Sequence, residues 1–73
     1  MDLEKEIEIA KAKKVSLMME ISRVHDNMIY AERRGEKIEP ENGPERLSQL
    51  KSEALEVNEY ILELEERVSK KSF

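Results

Sequence analysis

The 73-residue sequence has no cysteine and only two glycines and two prolines. The absence of cysteine excludes disulfide bonds and thiolate metal ligands, which are common ways to stabilise a small protein. A chain of this length also lies below the size at which one hydrophobic core gives ample stability. Self-association is the stabilising device that remains, and we expect this chain to use it.

Long apolar runs are absent as well. No run approaches the roughly 20 apolar residues that a membrane-spanning helix needs. The first 14 residues, MDLEKEIEIAKAKK, are too acidic and too polar for a signal peptide. A basic amphipathic face with bulky aromatic residues, which would favour binding to a membrane surface, is also missing. We therefore expect a soluble, cytoplasmic protein that does not contact membranes.

The sequence is rich in charged residues, which make up 41% of the chain, and they alternate with apolar residues at heptad spacing. The three-four spacing runs unbroken from Leu3 to Ala31 and, after the segment GEKIEPENGP, resumes from Leu47 to Val68. Glycine after the first array is typical of a helix C-terminus, and proline before the second array is typical of a helix N-terminus. The pattern predicts an all-α, antiparallel helical hairpin that resembles a coiled coil. We expect one domain over 1–73, with helices at 2–34 and 44–71 and a loop at 35–43.

The loop length also predicts how the two helices align. In an antiparallel pair, the numbers of facing seam residues have a constant sum, which a loop centred on residue 39 sets at 78. Ile21 would then face Val57. Lys14 would lie in the seam, either as a polar marker of this register whose ammonium reaches Glu63 or Glu65, or as a tolerated lysine that snorkels to solvent.

The first helix carries more apolar side chains than one seam requires. A second three-four stripe follows heptad positions b and e, next to the edge where the two helices meet. The residues of this predicted dimer face are Val15, Met18, Ser22, His25, Ile29, Leu55 and Leu62. Burial of its five aliphatic or methionine side chains would contribute about 10 kcal/mol per chain before entropy is subtracted. We expect the hairpin to form a homodimer, a four-helix bundle.

A further set of apolar residues lies outside both the seam and the predicted dimer face. These residues occupy heptad positions c and f or the loop. They are Ile9, Met19, Tyr30 and Ile38, and they form the candidate surface for another protein. The leading functional prediction is a small protein-interaction module that acts as an adaptor, an inhibitor or a regulatory subunit.

Metal-binding and catalytic patterns find little support. Metal sites in helical bundles usually need a Glu-x-x-His pair or several imidazoles, but His25 is the single histidine and Ser22 stands three residues before it. The pattern favours a histidine at the edge of an interface; a mild pH dependence of assembly is the alternative. There is no Gly-rich phosphate loop and no nucleophile with an apparent base. We expect no metal, no cofactor, no catalytic residue and no enzymatic activity.

An RNA-binding regulator built on the same bundle is the main alternative function. Lys11, Lys13 and Lys14 form a lysine cluster on the first helix. Phosphate attraction needs a concentrated basic patch, whereas this chain has 13 basic and 17 acidic residues. The balance favours a protein partner over nucleic acid.

A small phosphatase or nucleotide hydrolase is the third alternative. The second helix contains Glu-x-x-Glu spacings like those of all-α nucleotide pyrophosphohydrolases, but it lacks the later Glu-x-x-Asp that those sites need. The segment SEALE at 52–56 resembles the S-Q-E-L-D signature of the helical-hairpin phosphatases that act on sporulation response regulators. It matches at two of five positions, with Glu56 in place of the aspartate, and this does not assign the family. Solvent-exposed glutamates on the outer face of a coiled coil are the simpler interpretation.

Overall fold

The computed structural model describes residues 2–71, and their side chains as far as residue 70. Within this part of the chain all regular secondary structure is helical, and there is no strand. Helix α1 spans Leu3–Arg34 and helix α2 spans Pro44–Lys71; a single turn of 3-10 helix, Pro40–Asn42, lies between them. The helices pack against each other as a helical hairpin. No helix in residues 2–71 is long and apolar enough to cross a membrane.

The ends of α1 are set by short, local hydrogen bonds. The Asp2 side chain accepts a hydrogen bond of 3.1 Å from the backbone amide of Glu4, which caps the first turn. At the other end, Gly35 adopts the left-handed conformation, with φ of 68°. Its amide donates to the carbonyl of Glu32 (3.2 Å), and the next amide, of Glu36, donates to that of Ala31 (2.8 Å). This pair of bonds is the Schellman motif, so the helix stops at the predicted glycine.

Helix α2 begins where proline is tolerated. Pro44 occupies the first helical position, where its missing N–H would have no intrahelical acceptor. The carbonyl of Gly43 accepts the first bond of the helix, from the amide of Leu47 at 3.1 Å. Gly43 is buried, because the 3-10 turn brings the preceding loop residues over it. The segment 35–43 is therefore a compact return turn.

The core is a narrow seam between the two helices. Within residues 2–70, the buried residues of this seam all occupy heptad positions a or d. They are Ala10, Leu17, Val24, Leu47, Leu50, Ile61 and Leu64. Because a two-helix hairpin has only one seam, most of the remaining apolar side chains stay in contact with solvent.

The register of the seam differs from the predicted one. The Nζ atom of Lys14 donates to Oδ1 of Asn58 at 2.7 Å, and Arg46 forms an ion pair with Glu20 at 3.4 Å. The residue numbers of these pairs sum to 72 and 66, well below the predicted 78. Since position a must remain opposite d, the sum changes in steps of seven, and the contacts fit a seam sum of 71. The predicted register was wrong by one heptad, and Lys14 does not reach the predicted glutamates.

The conformation of the loop is the reason for this shift. The prediction assumed a loop that leaves one helix and enters the other symmetrically. Instead, residues 35–43 fold back along α1, and the side-chain amide of Asn27 donates to Oδ1 of Asn42 at 3.3 Å. Helix α2 therefore starts beside Asn27, and the last two turns of α1 extend beyond it.

The shifted register brings buried residues together. A seam sum of 71 places Ala10 opposite Ile61 and Val24 opposite Leu47, and all four side chains are buried. Leu17, which the predicted register put opposite Ile61, packs into the cluster that contains Val24 and Leu47. The distribution of burial thus agrees with the cross-helix contacts.

Engineered disulfides test the register directly, since the chain has no cysteine of its own. We expect the pair Ile21→Cys and Leu50→Cys to form an intramolecular disulfide readily under mild oxidation. The pair Ile21→Cys and Val57→Cys should react far more slowly, because Val57 is displaced from Leu50 by about 10 Å along the helix. Mass spectrometry of the oxidised monomer measures both rates. Faster closure of the Val57 pair would restore the originally predicted register.

The left-handed glycine provides a test of the helix end. A Cβ added at Gly35 meets no atom within 4 Å, so an alanine there is penalised by backbone conformation alone. We expect Gly35→Ala to lower the free energy of unfolding by about 1 kcal/mol. Gly35→Asn should have a smaller effect because asparagine tolerates the left-handed region. Urea denaturation measures the free energy of unfolding of both variants. Equal losses of stability in the two variants would argue against the left-handed helix end at Gly35.

Candidate protein interfaces

Two apolar grooves run along the hairpin on opposite sides of the seam. The first, which we name the Met18 groove, has a volume of about 500 Å³. Its lining residues are Lys14, Met18, Ile21, Lys51, Ala54, Leu55 and Asn58. The second, the Tyr60 groove, has a volume of about 350 Å³. Its lining residues are Glu6, Ile9, Ala10, Lys13, Glu56, Val57 and Tyr60.

The Met18 groove is formed by the e edges of the two helices. Its walls are the exposed side chains of Met18 and Leu55, and the partly buried Ile21 and Ala54 lie at its base, against the core. The one-heptad shift is what brings Leu55 level with Met18. Val15, one turn before Met18, is also exposed and extends the same apolar surface.

Two lysines line this groove, Lys14 and Lys51, and the ammonium group of Lys14 has a polar partner. The Nζ atom of Lys14 donates to Oδ1 of Asn58 across the interface between the helices. Its aliphatic stem lines the groove, as is usual for a lysine at the border of an apolar surface. The side chain therefore contributes apolar area while its ammonium group keeps a polar partner.

The other residues of the predicted dimer face lie further from the groove. Leu62 is exposed two turns beyond Leu55, about 10 Å away along α2. Ile29 is half-buried near the loop, in a small pocket. Ser22 and His25 are exposed, and Nδ1 of His25 lies 3.8 Å from a carboxylate oxygen of its neighbour in sequence, Asp26. The structure thus gathers only the central part of the predicted face into one groove.

The Tyr60 groove lies along the g edges, on the other side of the seam. Ile9 and Tyr60 form its walls and are 63% and 47% exposed. Ala10 and Val57 form its base; because alanine is small, its seam position leaves a depression between the walls. Sequence reasoning missed Tyr60. Its position at g, flanking the seam, was the available signal, but the wrong register placed it away from Ile9.

The predicted partner surface does not form one surface. Ile9 lines the Tyr60 groove, whereas Tyr30 and Ile38 line a cleft beside the loop, about 30 Å away along α1. The guanidinium of Arg34 lies 5.8 Å from the centre of the Tyr30 ring, a cation–π contact that occupies part of this cleft. Met19 is exposed on the outer face of α1, apart from both grooves.

The predicted lysine cluster is also divided by the structure. Lys13 lines the Tyr60 groove and Lys14 lines the Met18 groove, on opposite sides of the hairpin. Of these three lysines, Lys14 is hydrogen-bonded to Asn58, whereas Lys11 and Lys13 have no hydrogen-bonding or ionic partner among the side chains of residues 2–70. Their separation from Lys14 reduces the basic charge that any one face presents.

The chemistry of the polar groups is that of a solvated helix surface. Within residues 2–70 no three histidine, aspartate or glutamate side chains come close enough to hold a metal ion. In the same range no buried side-chain nitrogen or oxygen lacks a hydrogen-bonding partner. The two apolar grooves are the most distinctive surfaces of the described residues.

No protein family model matches the chain, and no curated protein or solved structure is significantly similar to it. The two grooves and the charges that surround them are therefore the features that bear on function.

Proposed function

We propose that this chain is a small protein-interaction module. Two hairpins pair through the Met18 groove as a homodimeric four-helix bundle, and the bundle docks on another protein as an adaptor, inhibitor or regulatory subunit. The observation that carries the proposal is the exposure of contiguous apolar side chains at Val15, Met18 and Leu55, directly above the partly buried Ile21 and Ala54. A contiguous apolar patch on a small protein usually marks an interface.

The surface area of the hairpin supports pairing. The chain exposes 5919 Å², about 1,200 Å² more than the roughly 4,700 Å² expected for a compact monomer of its mass of 8.6 kDa. A stable interface typically buries about 800 Å² on each partner. Pairing through one broad face would therefore remove most of this excess. A monomeric hairpin has few other ways to bury this excess area, because its single seam is already packed.

The residues of the Met18 groove suit a two-fold interface. In a symmetric dimer each residue of the face contributes twice, so a modest patch doubles its apolar area. Methionine is flexible and packs well against an irregular surface. Lys14 already donates a hydrogen bond to Asn58, so its ammonium group would keep this partner if a second chain covered the groove.

The charges favour a protein partner over RNA. The chain carries a formal net charge of −4, and Lys13 and Lys14 lie in opposite grooves. In the Tyr60 groove a polyanion would meet two carboxylates, of Glu6 and Glu56, and one ammonium group, of Lys13.

Two neighbouring methionines give a matched test of the dimer. We expect Met18→Glu to place an unpaired charge in the interface and to shift the protein from dimer to monomer, at a cost of several kcal/mol. Met19→Glu, one residue further round α1, should leave the dimer intact. Sedimentation equilibrium measures the mass of each variant. Because the single seam is narrow, helicity by circular dichroism should fall together with dimerisation in Met18→Glu.

The melting temperature of the native chain provides a second test of the dimer. If two hairpins associate, its melting temperature should rise with protein concentration. A folded monomer whose melting temperature is independent of concentration would show that the Met18 groove does not join two copies.

A further inference from the structure

The Tyr60 groove stays open in the proposed dimer. The Met18 groove follows the e edges and the Tyr60 groove follows the g edges, so the seam separates them. A second hairpin seated over Met18 would leave Ile9 and Tyr60 exposed to solvent. A dimer would thus present two copies of this groove on its outer surface.

The shape of the groove fits large apolar side chains from a helix. Ile9 and Tyr60 stand on either side of the depression above Ala10, which is 5% exposed. The volume of about 350 Å³ lies in the range of pockets that enclose ligand groups. Because the groove runs between two antiparallel helices, a third helix packs along it in the manner of a bundle. A helical hairpin offers no sheet edge to which an extended strand could add.

The charges around the groove are mainly acidic and are not neutralised within the chain. Glu6 and Glu56 line it together with one basic residue, Lys13. Neither carboxylate forms an ion pair with any side chain in residues 2–70, whereas Glu63 further along α2 is paired with Arg67 at 2.9 Å. Unpaired carboxylates beside an apolar groove attract lysine or arginine on a partner and disfavour acidic partners.

We propose that the Tyr60 groove binds a basic amphipathic helix of another protein. The helix inserts apolar side chains spaced three or four residues apart between Ile9 and Tyr60, and its lysine or arginine residues meet Glu6 and Glu56. The inference deepens the docking half of the proposed function by naming the surface and the partner's chemistry. It does not depend on the Met18 groove.

A synthetic peptide tests the chemistry of the partner. The probe is a fluorescein-labelled, amphipathic helical peptide of about 15 residues with leucines at three-four spacing and flanking lysines. Two control peptides carry glutamate in place of lysine, or the same residues with the leucine spacing scrambled. In fluorescence anisotropy titrations at physiological salt, the native chain should bind the probe at least about tenfold more tightly than either control. Equal binding of all three peptides, or no binding, would overturn the inference.

Variants of the chain locate the binding site. Ile9→Ser and Tyr60→Ser should each weaken binding of the probe several-fold, while Met19→Ser, an equally exposed outer position, should not. Double replacement Glu6→Gln and Glu56→Gln should reduce the preference for the lysine peptide over the glutamate peptide and leave the apolar contacts in place. Circular dichroism checks that each variant retains its helicity. If Ile9→Ser and Tyr60→Ser do not fold but the double variant does, the test is whether the double variant loses the preference for the lysine peptide over the glutamate peptide. An effect of Met19→Ser as large as that of Tyr60→Ser would show that the probe does not bind in the groove.

The same titration separates this inference from the proposed dimer. A chain that sediments as a monomer but binds the lysine probe through Tyr60 supports the groove and contradicts the dimer. A chain that sediments as a dimer but binds no probe supports the dimer and contradicts the groove. The two proposals therefore fail independently.

Discussion

The packing of α1 against α2 along a single seam determines most other features of this protein. Two helices can bury only the side chains that point toward each other, and within residues 2–70 the buried apolar residues all lie at heptad positions a and d. The register of this seam decides which outward-facing residues become neighbours. Met18 meets Leu55, and Ile9 meets Tyr60, only because the seam sum is one heptad lower than a symmetric loop would impose.

The seam also leaves two different grooves at its edges. On the e side, exposed apolar residues adjoin two lysines, Lys14, whose ammonium donates to Asn58, and Lys51. On the g side, the apolar walls adjoin the unpaired carboxylates of Glu6 and Glu56. The acidic groove suits a partner of opposite charge. The proposed assembly uses the apolar Met18 groove for a second copy of the chain and the Tyr60 groove for a basic partner.

The helices and the seam residues could be predicted from the sequence because their signals are local. Heptad spacing depends on neighbours three and four residues apart, and the Gly35 and Pro44 signals act within one helical turn. The register could not be predicted in this way, because it depends on how residues 35–43 fold back and on the bond between Asn27 and Asn42. A symmetric loop is the simplest assumption, and a short 3-10 turn was enough to make it wrong.

The register also determines which of the candidate interface residues lie side by side. The predicted dimer face included Met18 and Leu55, which the structure does bring together, but it also included Ile29, which lies beside the loop. Tyr60 was missed because its closeness to Ile9 follows from the register and not from either helix alone. The residues on one face of a helix can thus be predicted from the sequence. To predict a groove between two helices, one must also know how the two helices are aligned.

The central claim is that a second copy of the chain covers the Met18 groove, and methionine oxidation tests it most directly. Met18 and Met19 are adjacent and, in the isolated hairpin, are 54% and 68% exposed. Dilute hydrogen peroxide oxidises exposed methionine to the sulfoxide, and mass spectrometry gives the initial rate at each residue. The account predicts similar rates at low protein concentration and selective protection of Met18 as the concentration rises. A ratio of the two rates that stays constant over the whole concentration range would contradict it.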